Sequence, residues 1–312
     1  MKAVGLVQIL NIGSLNLDNV YRVSSFAKPG ETVSAKNFSI SFGGKGLNQS
    51  VALAKAGAKV KHLGVIGYDG NDLKVALEEA QVDVSLIRKV DIANGNAVIQ
   101  VDDAGQNCII VNAGSNDCLT EEQIDAGLRQ MQVGDMVLLQ NETNKLAYAL
   151  ERAKQYGLKV VLNPSPINEA LLAVDLQTVD LFVLNEIEAE FLTSMSNVKP
   201  EILLNSLHEK YPQSDFLLTL GERGSVYFSN GKILEQHPYE VKAVDTTAAG
   251  DTFTGYFLAS IANEKDVKTA MNIASAAAAI AVSKHGAQSS IPTLNKVEKF
   301  ISEFENDKLL DD

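Results

Sequence analysis

The sequence predicts an α/β fold: a doubly wound, mostly parallel sheet flanked by helices, with a small β-sheet added as a lid. Short, continuous apolar runs alternate with segments of helical periodicity, as in proteins whose parallel sheet is covered on both faces. Two further stretches have strand-like composition without a helix between them. The chain has 312 residues, 46% of them hydrophobic, which suffices for one large core and a small appendage. We therefore expect one domain over residues 1–312, with lid segments inserted at about 16–42 and 95–113.

Six apolar runs are candidates for strands of the main sheet. They cover residues 4–11, 60–66, 136–140, 159–162, 181–184 and 216–220. The first run could be misread as a secretion signal, but it is short, Gln8 interrupts it, and no small-residue cleavage site follows. We therefore predict that this run forms a buried first strand.

The segments between these runs carry residues that favour helix ends and turns. Thr120 and Gln123 have the spacing of a capping box, in which each side chain bonds the backbone of the other residue. Gly57 and Gly157 stand where a helix would end in a left-handed residue. The Asn-Gly pair at 230–231 lies between two apolar runs and predicts a tight β-hairpin.

The lid is predicted from residues 17–40 and 96–111, which read as strands without an intervening helix. Residues 102–105, Asp-Asp-Ala-Gly, have the composition of a turn that joins two antiparallel strands. The alternative is that both stretches are edge strands of the main sheet.

Charge and composition set limits on partners and compartment. The formal net charge of -12 argues against nucleic acid and against anionic membranes. No stretch approaches the apolar length of a membrane span. The two cysteines, Cys108 and Cys118, make a disulfide-based fold implausible at this size and favour a reducing compartment, the cytoplasm. The four histidines show no zinc-binding spacing.

The most informative segment precedes a helix with Phe253, Phe257 and Ile261 on one side. Residues 245–251 read Asp-Thr-Thr-Ala-Ala-Gly-Asp, and the small residues at 248–250 let a ligand approach the backbone. Free N–H groups at a helix N-terminus form an anion site. A carboxylate beside a bound phosphate is unfavourable unless it has a task, such as taking the proton from an attacking hydroxyl. Asp251 is therefore a candidate base; the alternative is that it only caps the helix.

A glycine-rich segment, Gly-Gly-Lys-Gly-Leu-Asn at residues 43–48, opens another helix, expected over 47–56. Its glycines allow unusual backbone dihedrals and close approach to a ligand, and Lys45 and Asn48 can bond sugar hydroxyls. The spacing is neither that of a Walker A loop nor that of a Rossmann fingerprint. A simple turn is the alternative.

Two polar segments follow strands of the predicted sheet, where α/β proteins bind ligands. Residues 185–188, Asn-Glu-Ile-Glu, follow the run 181–184, and residues 219–224, Thr-Leu-Gly-Glu-Arg-Gly, end the run 216–220. Thr219 and Gly221 are candidates to meet a phosphate or a ribose. The alternatives are that Glu188 is a solvated helix residue and that residues 219–224 are only a turn.

Together the four segments resemble the ribokinase-like (PfkB) carbohydrate kinase family. Residues 43–57 resemble its N-terminal signature, 245–255 its C-terminal signature and 185–188 its Asn-x-x-Glu motif, in the family's order and at its separations. The resemblance covers about residues 10–292. It implies ATP-dependent phosphorylation of the primary hydroxyl of D-ribose or a close relative.

The resemblance also implies a role for each matching residue. The catalytic base would be Asp251, with an anion hole formed by Ala248, Ala249 and Gly250. The sugar would be held by Asn16, Asp18, Gly44, Lys45, Asn48, Glu142 and Asp251. ATP would contact Asn185, Thr219, Gly221, Arg223, Gly224, Gly250 and Ser275. Ser275 stands where these kinases often carry a histidine beside the adenine, a departure that bears on adenine stacking and not on phosphoryl transfer.

Two metal ions are implied by the same resemblance. Mg²⁺ would bridge the phosphates of ATP, held largely through water near Asn185 and Glu188. A monovalent cation, expected to be K⁺, would lie beside the anion hole. Its ligands would be the side chains of Asp245, Thr247 and Ser290 and the carbonyls of Ala281, Lys284 and Gly286.

Rival functions remain open at this point. The first is a kinase of the same fold acting on 2-deoxyribose, fructose, a nucleoside or a keto-sugar acid. Asp18, Lys45, Asn48 and Glu142 favour a small polyol, and a nucleoside kinase would need an apolar base pocket in the lid. A sugar-binding relative without catalysis is disfavoured by the intact Asp251. A nicotinamide dehydrogenase is disfavoured because the Rossmann glycine spacing is missing after the first run. A homodimer formed through the lid is expected.

Overall fold

The computed structural model describes residues 7–311, and it describes side chains as far as residue 305. In chain order, the strands are β1 (Gln8–Ile12), β2 (Asn16–Arg22), β3 (Asn37–Gly43), β4 (Lys59–Ile66), β5 (Asp83–Lys89), β6 (Gly95–Val101), β7 (Asn107–Asn112), β8 (Met136–Gln140), β9 (Lys159–Asn163), β10 (Leu181–Asn185), β11 (Asp215–Thr219), β12 (Ser225–Ser229) and β13 (Lys232–Gln236).

The α-helices connect these strands and complete the layers around them. They are α1 (Lys45–Lys55), α2 (Asn71–Glu79), α3 (Glu121–Leu128), α4 (Leu146–Gln155), α5 (Glu169–Leu172), α6 (Glu186–Thr193), α7 (Pro200–Lys210), α8 (Ala249–Ala262), α9 (Val267–Val282) and α10 (Leu294–Asp311). Within the described residues, no helix is both long enough and apolar enough to cross a membrane.

The main sheet of the described chain has the order β13-β12-β11-β10-β9-β8-β1-β4-β5. Strands β11 to β5 along this order are parallel, while β12 and β13 join antiparallel at one edge. The chain runs from β1 to β4 on one side and later to β8 on the other, so the winding reverses between β1 and β8. The predicted doubly wound, mostly parallel α/β sheet is confirmed.

Apolar residues alternate between the two faces of this sheet, and helices cover both. On one face, Ile9 and Leu138 pack in a core with helices α1, α8 and α9. On the other, Leu10 and Val137 pack with α3, α4 and α7. A strand covered on both faces reads as a continuous apolar run, which is why the six runs are visible in the sequence.

Several local predictions are confirmed, and two need correction. Gly57 and Gly157 have positive φ, as do both residues of the 230–231 turn that joins β12 to β13. The Thr120 side chain accepts from the Gln123 amide, but the Gln123 side chain instead donates to carbonyls of β4 and β5. The predicted capping box is therefore only half formed. The first strand begins at Gln8, and the predicted residues 4–6 lie outside the described residues.

The small second sheet has the order β3-β2-β6-β7 and is separate from the main sheet. Strands β6 and β7 are antiparallel and joined by the predicted turn at 102–105, whereas β2 and β6 pair in parallel. The alternative in which these stretches extend the edge of the main sheet is therefore wrong. The sheet lies next to the carboxyl ends of the main strands, since β2 follows β1 and β3 leads directly into α1.

Candidate active site

The predicted site residues gather where the parallel strands end and the sheet reverses its winding. Asn163, Asn185 and Thr219 are the last residues of β9, β10 and β11, and Glu142 follows β8 by two residues. Open α/β sheets bind their ligands in the crevice at this position. The N-termini of α1 and α8 point into the same region, because Asn48 of α1 and Asp251 of α8 are hydrogen-bonded to each other.

Asp251 is buried and held by two side-chain amides from α1. Its Oδ2 accepts from Asn48 Nδ2 at 3.0 Å and its Oδ1 from Gln49 Nε2 at 2.9 Å. Only 8% of the residue is exposed. Each carboxylate oxygen thus receives one neutral donor, and the two donors fix the direction of the carboxylate plane.

Asp251 is not the cap of its helix. The helix α8 begins at Ala249, and the capping position is Ala248, whose φ of 60° places it in the left-handed region. The Ala249 amide donates to Thr246 and the Thr252 amide to Ala248, whereas Gly250 and Asp251 have no intrahelical acceptor for theirs. The segment 248–250 therefore presents the backbone of a helix N-terminus, which is the geometry of an anion site.

The glycine segment before α1 is compressed against the loop after β1. Gly44 has a φ of 89°, and a Cβ there would lie 2.9 Å from the Ser14 hydroxyl. A Cβ on Gly46 would collide with the backbone of Gly13 and Ser14. The helix starts at Lys45, two residues earlier than the predicted start at 47. These close approaches set Lys45 and Asn48 at the crevice.

The Lys45 ammonium lies among three acidic side chains. They are Asp251, Glu142 and Glu188. Burial alone would lower the pKa of Lys45, but the three carboxylates raise it above its ordinary value. Lys45 therefore remains charged, and it offsets part of the negative charge that the site concentrates.

Glu142 is hydrogen-bonded to the loop after β1 and to the start of α1. It accepts from the Ser14 hydroxyl and, at 2.8 Å, from the backbone amide of Lys45. Burial raises the pKa of Glu142, although the Lys45 charge opposes that shift. Glu142 thus joins the end of β8 to the start of α1 and holds Lys45 in the crevice.

Asp18 and Asn16 approach the site from the small sheet. Asp18 lies against Gly43, where any side chain would collide with its carboxylate. Burial, with a contribution from the charge of Glu142, raises the pKa of Asp18 to about 7. Asn16 accepts from Asn116 Nδ2 at 2.7 Å, which fixes the orientation of its amide.

Asn185 and Glu188 form a complete capping box at the start of α6. Asn185 Oδ1 accepts from the Glu188 amide at 2.9 Å, and Glu188 Oε2 accepts from the Asn185 amide at 3.0 Å. Burial raises the pKa of Glu188, and its hydrogen bond to Asn185 and the Lys45 charge act against the shift. Glu188 is 6% exposed, so the reading in which it is a solvated helix residue is wrong.

A cavity of about 230 Å³ joins these elements. It is lined by Lys45, Asn163, Val183, Leu184, Asn185, Glu188, Thr219, Thr246, Ala248, Ala249, Gly250, Asp251 and Thr254. The cavity thus combines the anion segment 248–250, the Lys45 ammonium and the buried carboxylates of Asp251 and Glu188. Its shape and charge suit a polar phosphorylated ligand.

The remaining predicted nucleotide contacts lie outside that cavity. Gly221 has a φ of 59° and open space around it, and Gly224 has a φ of 90° with the backbone of β13 packed against it. Arg223 is exposed and forms an ion pair with Glu186. Ser275 is buried within α9 and does not line the cavity. The structure thus places 221–224 on a loop after β11 but does not bring Ser275 to the site.

Three of the predicted cation ligands, Asp245, Thr247 and Gly286, are joined by hydrogen bonds. Asp245 Oδ1 accepts from the Thr247 hydroxyl at 2.6 Å, and Asp245 Oδ2 accepts from the Gly286 amide at 3.0 Å. Burial would raise the pKa of Asp245, but these hydrogen bonds lower it below its usual value. The Ala281 carbonyl already accepts from Lys284, and the buried Ser290 hydroxyl donates to Ala287.

Sequence reasoning missed several residues of the site. Asn163 and Thr246 line the cavity, and Gln49 contacts Asp251 directly. Asn163 ends β9, so the rule that singled out 185–188 would have found it. Gln49 follows the glycine segment directly, but nothing in the sequence indicates that it points towards α8. Among the described residues, no group of three or more His, Cys, Asp or Glu side chains could hold a metal ion.

Comparison with known proteins agrees with this geometry. The model of the pfkB family carbohydrate kinases matches residues 8–294. A ribokinase of Haemophilus influenzae is 38% identical over 301 residues, covering 93% of this chain and 97% of the relative. A deoxyribokinase of Salmonella typhi is 33% identical over 308 residues, covering 95% of this chain and 99% of the relative.

Solved structures give the same result. A structure of Arabidopsis thaliana ribokinase complexed with ribose and ATP matches with a TM-score of 0.83 and 29% sequence identity, covering 94% of this chain and 98% of that one.

Proposed function

The chain belongs to the pfkB family of carbohydrate kinases, and on that premise we propose that it transfers the γ-phosphate of ATP to the primary hydroxyl of D-ribose. The observation that carries the proposal is the pairing of Asp251 with the anion segment 248–250. A buried carboxylate and a helix N-terminus share one cavity there. This combination suits a hydroxyl that must lose a proton while it attacks a phosphoryl group.

Asp251 acts in this mechanism as the catalytic base. Phosphoryl transfer passes through a loose, highly charged transition state, so catalysis consists mostly of positioning and charge stabilisation. Asn48 and Gln49 hold the Asp251 carboxylate in position, so that it accepts the proton of the sugar hydroxyl. The first-turn amides of α8 that have no intrahelical acceptor, those of Gly250 and Asp251, stabilise the charge that develops on the transferred phosphoryl group.

The sugar site lies on the side of Asp251 that faces the small sheet. Asn48 donates to Asp251, while its Oδ1 is buried without a partner among the described residues and suits a sugar hydroxyl as donor. Asp18 and Glu142 supply further acceptors, and Gly44, Lys45 and Asn16 complete the set. Closure of the small sheet as a lid would exclude water and limit futile hydrolysis of ATP.

Mg²⁺ fits the other side of the cavity. Glu188 and Asn185 line it, and carboxylate and amide oxygens, with water, are the ligands that Mg²⁺ prefers. The hydrogen bonds within the capping box already engage both side chains, which is consistent with contact through water. Bound there, Mg²⁺ would neutralise charge on the phosphates of ATP.

K⁺ fits the cluster around Asp245. A low pKa keeps the Asp245 carboxylate ionised, and the loop 283–290 offers carbonyls at the end of α9. Oxygen donors of this kind suit a large, hard cation. Bound there, K⁺ would strengthen the electrostatic field of the anion segment without contacting the substrates.

A second substrate, 2-deoxyribose, is favoured by one specific observation. The Salmonella typhi relative, 33% identical along nearly the whole chain, is a deoxyribokinase. Fructose, nucleosides and keto-sugar acids remain less favoured members of the test panel, and a non-catalytic sugar-binding protein is disfavoured by the intact Asp251.

A coupled kinase assay across pentoses, hexoses and nucleosides tests the substrate. We expect the highest kcat/KM with ribose. A higher value with 2-deoxyribose, or turnover with none of the sugars, would contradict the assignment.

The same assay in potassium, sodium and a bulky organic cation at constant ionic strength tests the cation. We expect potassium to raise kcat more than it lowers the sugar KM, and equal rates in all three salts would remove the cation from the mechanism.

Two broader assignments complete the proposal. One face of the small sheet carries no charged residue and exposes apolar side chains such as Ile40 and Ile110, which supports a homodimer formed through this sheet. Cys108 and Cys118 are both free, which supports a reducing compartment such as the cytoplasm.

A further inference from the structure

A connected set of uncharged polar side chains lies buried behind Asp251, between α1 and the strands β1, β4, β8 and β9. Its members are Asn11, Gln49, Ser50, His62, Gln140 and Asn163. All are at most 8% exposed, and each is hydrogen-bonded to at least one other. Buried polar groups are costly, and apolar packing would fill this space at lower cost. The arrangement therefore calls for a function.

The direction of these hydrogen bonds is fixed at one end by a backbone carbonyl. The Gly46 carbonyl can only accept, so Asn11 must turn its Nδ2 towards it, at 2.8 Å. Asn11 Oδ1 then faces Gln140, whose Nε2 donates to it at 2.9 Å. The same Gln140 Nε2 donates to Gln49 Oε1 at 2.7 Å. Gln49 is thereby forced to direct its own Nε2 away from Gln140.

A second carbonyl fixes the direction from the opposite side. The Val183 carbonyl accepts from Asn163 Nδ2 at 3.0 Å, which turns Asn163 Oδ1 towards Gln49. Gln49 Nε2 donates to that oxygen at 3.1 Å and to Asp251 Oδ1 at 2.9 Å. Two carbonyls that have no choice of role thus make the Gln49 amide a donor to Asp251.

The far end of the network is neutral. Ser50 accepts from Asn11 and is 2.8 Å from His62 Nδ1. Burial lowers the pKa of His62 to about 4, so no second charge competes with Asp251 there.

We propose that Gln49 is a positioning residue that aims Asp251, and that Gln140, which lies on β8 and contacts neither Asp251 nor the cavity, acts on catalysis through Gln49. The inference rests on the proposed role of Asp251 as base. Without the donor from Gln49, Oδ1 loses its one side-chain partner among the described residues, and the carboxylate is free to rotate about its remaining bond to Asn48.

Other charges around Asp251 do not replace this contact. Lys45 on α1 attracts the carboxylate, whereas Glu142 after β8 and Glu188 on α6 repel it. All three remain in place when Gln49 is changed. A fall in kcat would therefore report the missing donor.

The test uses Gln49→Met, Gln140→Met and the double variant, since methionine keeps the length of glutamine but donates nothing. Gln49→Met is expected to lower kcat about 10- to 100-fold through misplacement of the base. Ribose and ATP binding, titrated directly, should be unchanged.

Gln140→Met should lower kcat by a smaller factor than Gln49→Met, again without changing ribose or ATP binding. In the Gln49→Met background it should have no further effect, because the hydrogen bonds that link Gln140 to Asp251 are already broken. Gln123→Met is the matched control: it removes a half-buried glutamine amide of α3 whose hydrogen bonds go to β4 and β5, and it should lower stability without lowering kcat.

The proposal would be overturned if Gln140→Met lowers kcat by the same factor in both backgrounds, or if Gln49→Met keeps the kcat of the wild type. Where Gln49→Met does not fold, the kcat of Gln140→Met alone decides. Asp251→Asn is assayed in parallel: substantial turnover in that variant would reject the base itself, which separates failure of the proposed function from failure of this inference.

Discussion

At the scale of single residues, the site brings together charges that would repel one another in isolation. Asp251, Glu142 and Glu188 surround one ammonium, that of Lys45. The enzyme must also accept the negatively charged phosphates of ATP. The amides at the start of α8 and the proposed cations would reduce this repulsion, so that the site can hold both the phosphates and Asp251, the proposed base.

Asp251→Asn tests the base directly. Asparagine keeps the size of the side chain but cannot accept the proton, so we expect kcat to fall by about 10²- to 10⁴-fold, the usual contribution of general base catalysis. ATP and ribose binding, measured by calorimetric titration, should be nearly unchanged. A variant that retains more than about a tenth of the wild-type kcat would exclude Asp251 as the base.

Asp18 is expected to make stability depend on pH. Its pKa is raised from 3.8 to about 7, so the fold favours its protonated form, and this contribution to stability is lost as pH rises from about 4 to about 7. Asp18→Asn removes this pH-dependent loss of stability, because asparagine does not ionise. The unfolding free energy of the variant should therefore rise relative to that of the wild type as pH rises. The difference should be at most a few kcal/mol, since each pKa unit corresponds to about 1.4 kcal/mol.

Urea unfolding at pH 5 and pH 8 measures the difference for Asp18. The same pH dependence of the unfolding free energy in the two proteins would contradict the raised pKa.

The affinity for ribose should change with pH in the opposite direction to stability, since the ionised carboxylate of Asp18 is the better acceptor for hydroxyls. The ribose KM of the wild type should therefore fall as pH rises through about 7, and that dependence should disappear in the variant.

At the scale of elements, the sequence predicts strands better than contacts between helices. Runs such as 136–140 match β8 residue for residue, because strands covered on both faces must be apolar throughout. The predicted start of α1, residue 47, is two residues later than the observed start. Gly44 has a positive φ, and the helix begins directly after it, at Lys45. Helix ends depend on local dihedrals that neighbouring loops impose.

The site was predictable where its residues sit in local motifs. The segment 248–250 and Asp251 precede a helix, and the residues 185–188 end a strand, so their chemistry is visible in the sequence. Gln49 and Asn163 act through partners that are distant in sequence, 202 residues away for Gln49 and Asp251. The register between α1 and α8 creates such contacts, and a single sequence does not reveal that register.

The packing of α1 on α8 depends on Gly255. A Cβ at this position would collide with Ala52 and lie 2.8 Å from the backbone nitrogen of Leu53. Gly255→Ala should push the helices apart and cost about 1–3 kcal/mol of unfolding free energy. It should also lower kcat, because Asn48 and Gln49 on α1 would lose their register with Asp251.

Gly127→Ala is the matched control for the helix packing. Gly127 lies in α3. The atoms nearest to a Cβ there are the ends of leucine side chains, and Leu63 is the nearest. Thermal unfolding and kcat are measured for both variants. Gly127→Ala should lower stability but leave kcat unchanged. A Gly255→Ala enzyme with the kcat of wild type would contradict the dependence of the site on this packing.

At the scale of the whole molecule, the outer face of the small sheet differs from the rest of the surface. The chain carries a net charge of -12, yet none of the residues on this face is charged. The pairing register puts on one face Leu17, Asn19, Tyr21, Phe38, Ile40, Phe42, Asn96, Val98, Gln100, Cys108, Ile110 and Asn112. The opposite face carries Asp18, which is proposed to bind the sugar.

Acidic molecules repel one another over most of their surface, and this uncharged face is where two copies can approach. Its apolar side chains are open to solvent in the single chain: Ile40 is 55% exposed and Ile110 is 64% exposed. A second copy that packs its own small sheet here would cover them. Since Asp18 belongs to the same sheet, association would also steady the sugar side of the site.

Ile40→Lys combined with Ile110→Lys tests this association. Two lysines on each copy would be buried without partners in the dimer, at a cost that exceeds the apolar contact they replace. Sedimentation velocity should therefore show a dimer for the wild type and a monomer for the double variant, with a higher ribose KM in the monomer. Val133→Lys, at a position that is 86% exposed outside this sheet, adds the same charge as a control and should leave the dimer intact. A monomeric wild type, or a double variant that still sediments as a dimer, would show that this face does not join two copies.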